Sequence, residues 1–264
     1  MKLDFACRVD IGIRETNDDR ALLLGRVYDQ ESGSGEQETP ALVAVCDGCG
    51  GYAGGGIAAE TVLNVLNQAL PDTLADPESL KDALEAAREE VFARKEQSPK
   101  LFQMCTTIAG CVFAEDKTLI FHAGDSRVYR YDGFSLTRMT MDHSIVQEMV
   151  NMGRLTEEEA RRSPSRNVIT RCIGVDCLPP DIYISRAAIA PGEVYLLCSD
   201  GLWEYLEDHQ IMEVLSSAGE DPEAAAHRLV TMALEQGSND NVTVCLCVCP
   251  GSLSLPESTP FILD

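Results

Sequence analysis

Basic residues are scarce in this 264-residue chain: 21 lysines and arginines stand against 43 aspartates and glutamates, a formal charge of -22. So acidic a surface is repelled by phosphate backbones, which argues against nucleic acid and anionic membranes as partners. Long apolar runs are missing as well. No stretch reaches the roughly 18 residues that a membrane span needs, and the opening MKLDFACRVD has neither the basic start nor the apolar run of a secretory segment. Repeats and low-complexity tracts are absent. Histidine is sparse, with only His122, His143, His209 and His227. Cysteine, by contrast, is plentiful: eleven residues, an odd number, scattered without framework spacing. That pattern fits a reducing cytoplasm better than a disulfide scaffold.

What is present, 45% hydrophobic and 24% charged residues, is the composition of a globular protein with a sizeable core. LDFACRVDIG reads as a first strand, RETNDDR as a polar turn and ALLLGRVY as a second strand. Residues 29–40 carry no apolar side chain and read as an exposed hairpin loop. ALVAVCDG is the short apolar run of a buried strand that delivers a carboxylate at its end. GIAAETVLNVLNQAL has apolar positions at helical spacing, and PESLKDALEAAREEVFARKEQ is an amphipathic helix with Pro77 at its start. CTTIAGCVFAED, KTLIFHAGD and SRVYRYDG predict a meander turning at Asp116-Lys117 and Asp132-Gly133. From Asp142 to Pro164 two short helices are expected, hinged near Gly153; then come strands at DIYISRAAIA and EVYLLCSDG, helices at HQIMEVLSSAG and PEAAAHRLVTMALEQG, and a last strand at NVTVCLCVC. Strands and helices come in blocks instead of strict alternation, so the expected class is α+β with antiparallel sheets. A single domain over residues 1–250 is expected, its last strand joining the sheet begun by the first, with residues 251–264 as a peripheral tail.

Carboxylates gather at strand ends or tight turns in four places: Asp18-Asp19 in TNDDR, Asp47 in VCDGCGG, Asp200 in CSDGLW and Asp240 in SNDNVT. Strand ends of one sheet converge in space although they are distant in sequence. Hard divalent cations seek several oxygen ligands, and two of them about 3.5–4 Å apart can activate a water for in-line phosphoryl displacement. Asp-Gly is equally ordinary turn chemistry, and spacing alone leaves both readings open.

Nine segments in order, GIRETNDDR, VAVCDGCGG, CTTIAG, HAGDSRVYRYDG, TMDHSIVQEMV, GRLTEEEA, RNVITRCIG, LLCSDGLWEYL and SNDNVTV, resemble the type 2C family of metal-dependent Ser/Thr protein phosphatases in its compact bacterial form. The resemblance implies a sandwich of two antiparallel β-sheets flanked by α-helices, with a metal cleft at one end and a helical flap, about residues 140–165, beside it. It also implies an activity: dephosphorylation of phosphoserine and phosphothreonine in proteins, opposing a Ser/Thr kinase, with two Mn2+ or Mg2+ ions activating the attacking water. In the same reading Asp47 bridges both metals and catalyses, the Gly48 carbonyl is a further ligand, Asp200 and Asp240 complete one site, and Asp18 and Asp19 serve the other directly or through water. Arg14 would grip the substrate phosphate as a bidentate fork. Asp125, with Glu204 where many relatives have Asp, matches a third, weaker metal position. The implied partners are phosphorylated proteins, and a cytoplasmic monomer is expected.

The chain departs from the family pattern in ways that spare these ligands. Cys49 and Tyr52 stand where bacterial relatives commonly have Met and His, and Ser163-Pro164 where many have His-Pro. None of the four histidines falls in a metal motif, so activity is expected without a histidine acid. Cys46 and Cys49 form a C-x-x-C astride Asp47; without a second pair at zinc-ligand spacing they read as packed thiols, with oxidation of Cys49 as a way to distort Asp47. Cys245, Cys247 and Cys249 alternate on one strand and so share a face, as small buried hydrophobes. Intact Arg14, Asp47, Asp200 and Asp240 disfavour an idle binding module. The DHS and RNVIT elements disfavour the sporulation branch that acts on anti-sigma antagonists.

Overall fold

The structure, a computed structural model, describes residues 1–49, 54–185, 187–219 and 221–251. Tyr52 and the expected tail beyond residue 251 lie outside the described residues. In chain order the elements are β1 (Lys2–Asp10), β2 (Asp19–Leu23), β3 (Arg26–Tyr28), β4 (Ser32–Glu38), β5 (Ala41–Cys49), α1 (Gly55–Gln68), α2 (Pro71–Leu74) and α3 (Pro77–Gln97). There follow β6 (Cys105–Thr106), β7 (Ile108–Phe113), β8 (Thr118–Ala123), β9 (Arg127–Tyr131), β10 (Leu136–Arg138), α4 (Ile145–Asn151) and α5 (Glu157–Arg161). The chain continues through β11 (Asp181–Ser185), β12 (Val194–Cys198), α6 (Asp200–Trp203), α7 (Asp208–Leu215), α8 (Pro222–Glu235) and β13 (Val242–Val248).

Two antiparallel sheets face each other. One runs β10-β9-β12-β13-β1-β4, the other β11-β8-β7-β5-β2-β3, with β6 paired to the end of β5. Phe5, Val43, Val45, Phe113, Tyr195 and Leu197 fill the space between them, and the Phe113 and Tyr195 rings meet edge-on at 5.2 Å. Cys245, Cys247 and Cys249 all point into this layer, as their alternation on β13 requires. The outer face of the second sheet is covered by α1 and α3 through Leu63, Leu66, Leu80 and Leu84. The outer face of the first is covered by α7 and α8, with Trp203 and Leu229. Each such leucine, fully buried, contributes about 1.5–3 kcal/mol. The layers are thus helix, sheet, sheet, helix, as expected. No helix among the described residues is long and apolar enough to cross a membrane.

Two helix starts follow directly from the sequence. Asp76 accepts from the Ser79 N–H and is followed by Pro77, and Asp221 accepts from the Ala224 N–H and is followed by Pro222; both are the arrangement that satisfies the free amides of a first turn.

Three expectations are corrected. ALLLGRVY is not one strand but the tight hairpin β2–β3, its turn made by Leu24 (φ 51°) and Gly25 (φ 71°). Residues 29–40 are not a loop: Ser32–Glu38 form β4, an edge strand paired with β1 from Lys2 to Arg8. β4 needs few apolar side chains because backbone hydrogen bonds hold it, and a Cβ at Gly33 or Gly35 would collide with the Tyr28 ring or the Leu24 side chain. The meander also breaks. β7 and β8 pair, but at Gly124 (φ 112°) the chain crosses to the other sheet, where β9 pairs with β12 and β10.

Candidate metal centre

The sandwich is open at the end where β5 finishes and β13 starts. In the second sheet Asp19, opening β2, is the register partner of Asp47 near the end of β5. In the first sheet the Ser199 N–H donates to the Thr243 carbonyl at 3.1 Å, so the residue after β12 lies beside the start of β13. A hydrogen bond joins the two sheets there: Ser199 Oγ donates to Asp19 Oδ2 at 2.7 Å and accepts from the Thr243 N–H at 3.0 Å. The result is a cleft of about 310 Å3 lined by Arg14, Asp18, Asp47, Gly48, Asp125, Asp200 and Asp240, together with Thr16, Cys49, Thr107, Asn167, Ile169 and Asn241.

Each carboxylate is placed by its own local structure. The Asp47 backbone is braced on both sides: its N–H donates to Thr107 Oγ1 (3.0 Å), and its carbonyl accepts from the Thr107 N–H (2.8 Å) and from Thr106 Oγ1 (3.0 Å). Asp18 Oδ1 accepts from the Gly56 N–H in the first turn of α1 at 3.0 Å, where an anion is favoured by the free amides. Asp125 sits in the β8–β9 turn, its carbonyl held by the Trp203 indole at 3.0 Å. Asp200 is the first residue of the short α6 and not a strand end. Asp240 Oδ1 accepts from the Asn241 N–H at 2.8 Å.

The glycines after Asp47 and Asp200 are not there for turns. A Cβ on Gly48 would lie 2.2 Å from the Gly55 backbone at the start of α1, and one on Gly201 would lie 2.0 Å from the Asn241 carbonyl. Close backbone approach requires glycine at both positions, and that approach is what gathers the aspartates.

The electrostatics are those of anions crowded without a counter-charge. Burial, then the charges of Asp19, Asp200, Asp125 and Asp240, pushes the Asp47 carboxyl well above the usual range. Burial, then Asp125, Asp240, Glu204 and Asp19, does the same to Asp200. Burial lifts Asp19 to about 6 and, with Asp142 the next cause, Asp125 to about 7. Asp200 Oδ1 is buried with no hydrogen-bond partner among the described residues. A buried carboxylate oxygen without a donor is costly, and a hard cation with oxygen ligands removes that cost. The donor set therefore fits divalent metal ions.

Arg14 stands at the mouth, half exposed, with Nη2 on Asp240 Oδ2 and Nε on the Asn239 carbonyl, each at 2.8 Å. Asp18 and Asp19, left undivided by the sequence, separate: Asp18 lines the cleft, whereas Asp19 is buried behind it on Ser199. Glu204 is not brought into the cleft. It pairs with Arg166 Nε at 3.2 Å and lines a neighbouring cavity of about 820 Å3, between the flap helices and α6–α7. Cys46 and Cys49 do not face each other: Cys46 packs under α1, while Cys49 meets Cys105.

The segment expected to be a flap carries α4 and α5, with Gly153 (φ 68°) between them. It is rooted by His143, whose Nδ1 accepts from the Gly124 N–H (3.1 Å) and whose own N–H donates to the Gly124 carbonyl (2.9 Å). His122 and His143 stack at 4.5 Å, and neither lines the cleft. Sequence reasoning missed the bracing groups Thr106, Thr107, Ser199 and Asn241. Asn241 donates to the Ile11 and Thr16 carbonyls and accepts from the Asp18 N–H at 2.9 Å, so it ties the Arg14 loop to the Asp240 turn. Its position beside Asp240 in SNDNVT was the available signal.

Comparison with known proteins agrees with this geometry. The sequence model described as Protein phosphatase 2C matches residues 10–242. The Serine/threonine protein phosphatase PstP of Mycobacterium tuberculosis is 34% identical over 249 residues, which cover 92% of this chain and 44% of that protein; the chain spans less than half of that relative's length. The Serine/threonine phosphatase stp of Listeria monocytogenes is 30% identical, over 90% of this chain and 93% of that one. Among solved structures, the catalytic domain of PstP in complex with two manganese ions superposes with a TM-score of 0.77 at 32% identity, covering 95% of this chain and all of that one.

Proposed function

The chain belongs to the Protein phosphatase 2C family, and from that premise we propose that it is a metal-dependent phosphatase of phosphoserine and phosphothreonine in proteins. The observation that carries this reading is the convergence of Asp18, Asp47, Asp125, Asp200 and Asp240 in one cleft with Arg14 at its mouth, one buried carboxylate oxygen having no partner of its own. Asp47 with the Gly48 carbonyl, Asp200 and Asp240 would hold a pair of Mn2+ or Mg2+ ions, with Asp18 lining the second position and Asp19 behind it acting through Asp47 or water. Bound there, such a pair supplies Lewis acidity and a water nucleophile at neutral pH.

The protein's own part is placement. Thr106 and Thr107 fix the backbone of Asp47, and Asn241 fixes the Arg14 loop. Arg14, freed from Asp240, presents a planar fork to two oxygens of the phosphoryl group, which orients it and neutralises its charge. Among the described residues no histidine lines the cleft, so in this reading the leaving alkoxide would take its proton from water. Asp125 offers a third, weaker cation position, and Glu204 would join it only on release from Arg166.

Residues 1–250 form the catalytic domain in this reading, and the segment from Asp142 to Pro164 acts as a flap that screens substrates. Asn167 and Ile169, just beyond it, reach the cleft wall. The substrates would be phosphoproteins made by a Ser/Thr kinase. A monomer in a reducing cytoplasm suits the eleven unpaired cysteines.

The test is hydrolysis of p-nitrophenyl phosphate and a phosphothreonine peptide, with manganese and with chelator. Manganese-dependent turnover that is lost in Asp200→Ala is expected. Turnover without metal, or undiminished in that variant, refutes the reading.

A further inference from the structure

Three cysteines far apart in sequence meet at the end of β5, beside the carboxylate cleft whose wall Cys49 shares. Cys49 ends β5 and is the register partner of Cys105 in β6. Thr106, next to Cys105, makes a two-way backbone bridge with Ile173: the Thr106 N–H donates to the Ile173 carbonyl at 2.9 Å and the Ile173 N–H to the Thr106 carbonyl at 2.8 Å. That bridge sets Cys172 beside Cys105. Gly174 lets the third segment come this close, since a Cβ there would lie 2.7 Å from the Met104 carbonyl and 3.0 Å from the Cys105 Cα. All three Sγ atoms lie within 4.8 Å of one another. Cys172 is 5% exposed, and Cys49 and Cys105 are half-buried.

We propose that Cys49, Cys105 and Cys172 form a second metal site, a three-thiolate site for one thiophilic cation of the zinc class, adjoining the carboxylate cleft but sharing no ligand with it. Zinc–sulfur bonds of about 2.3 Å in tetrahedral geometry put the sulfurs roughly 3.8 Å apart, inside the observed spread. Cys49 and Cys105 stand closer, at 2.9 Å, so a cation between them parts the two by about 1 Å. A redox pair needs two thiols; three converging on one point is a ligand set. Soft thiolates select zinc or copper(I), while the carboxylate cleft selects magnesium or manganese, so the two sites do not compete for one ion. The fourth position falls to water or to Cys177, whose thiol donates to the Cys172 carbonyl at 3.2 Å. The cation would tie together β5, β6 and the Cys172 segment. The link reaches the cleft, because Thr106 beside Cys105 donates to the Asp47 carbonyl.

The test uses the whole chain, reduced and saturated with manganese so that the carboxylate cleft is filled. Cobalt(II) is added as a zinc probe and sulfur-to-cobalt charge-transfer absorption is recorded, a signal that carboxylates cannot give. One cobalt per chain, displaced by zinc and lost in both Cys105→Ser and Cys172→Ser, is expected. Cys105→Ser, at a half-buried position, keeps the test valid if Cys172→Ser fails to fold, with circular dichroism reporting which variants do fold. A missing band, or one that persists in a folded Cys105→Ser protein, overturns the proposal. So does a chain isolated with a Cys49–Cys105 disulfide that takes up no zinc after reduction. Phosphatase activity is not the readout, so failure here is distinct from failure of the function proposed above.

Discussion

Asp142, at the root of the flap, and Asp200, in the wall of the cleft, are both carboxylates drawn away from water, and they are neutralised differently. Asp142 is gripped by Arg127, Nε on Oδ1 at 2.9 Å and Nη2 on Oδ2 at 2.6 Å. That guanidinium in turn lies 3.4 Å over the Trp203 ring. Asp200 has Asp125, Asp240 and Glu204 as its charged neighbours and one oxygen with no donor. Withdrawing a carboxylate from water costs several kcal/mol. At the flap root the chain supplies the compensating charge itself and the contact is structural. In the cleft no such partner stands on that oxygen among the described residues, and the proposed metal pair, or protons in its absence, would supply the compensation.

The largest effect falls at Asp47. Asp47→Ala removes the carboxylate proposed to touch both metals, and turnover of a phosphothreonine peptide in manganese should fall about a thousandfold or more while the circular dichroism spectrum is unchanged. At the flap root the effect falls on stability instead. Arg127→Ala leaves Asp142 buried without its partner and should cost about 3–5 kcal/mol in denaturant unfolding.

Acidity separates the two regions next. In the metal-free protein the carboxyls of Asp19 and Asp125 hold protons up to about pH 6 and pH 7, whereas the unfolded chain releases them near pH 4. The native state therefore binds more protons across that window. Their contribution to stability is complete below about pH 4 and is lost as pH rises through 6 to 7. Chelated protein should melt several degrees lower at about pH 8 than at about pH 5, and manganese should reverse the difference at the higher pH.

Arg14→Lys keeps the charge but loses the fork, and kcat/KM should drop about tenfold with the unfolding midpoint unchanged. The smallest effect is the sharpest contrast. Asp200→Asn removes one of the crowded charges and should stabilise the chelated protein by about 1 kcal/mol, while Asp142→Asn, read in the same denaturant titration, should destabilise it.

Much of this was legible in the residues. α3 is where PESLKDALEAAREEVFARKEQ placed it, because Asp76 and Pro77 fix its start by local chemistry alone. The expected aspartates do converge, although Asp200 arrives on α6 and not at a strand end, and two different sheets contribute. What was hidden depended on contacts between distant segments. β4 has no apolar pattern because it is an edge strand paired through its backbone. Asp18 and Asp19 look alike in sequence, yet only the pairing with Ser199 buries one of them. Glu204 keeps the charge of an expected ligand, but its reach takes it to Arg166. The C-x-x-C drew attention to Cys46, whereas the thiols that meet Cys49 stand 56 and 123 residues further on, at Cys105 and Cys172. Spacing along the chain carries no trace of that meeting.

A cleft built to be neutralised by metal must take up ions through Asp47, and calorimetric titration of manganese into chelator-treated protein, with wild type and Asp47→Ala side by side, reads that uptake. Two ions per wild-type chain and a loss of both in the variant are predicted. Binding of equal stoichiometry and affinity in the two proteins would contradict it.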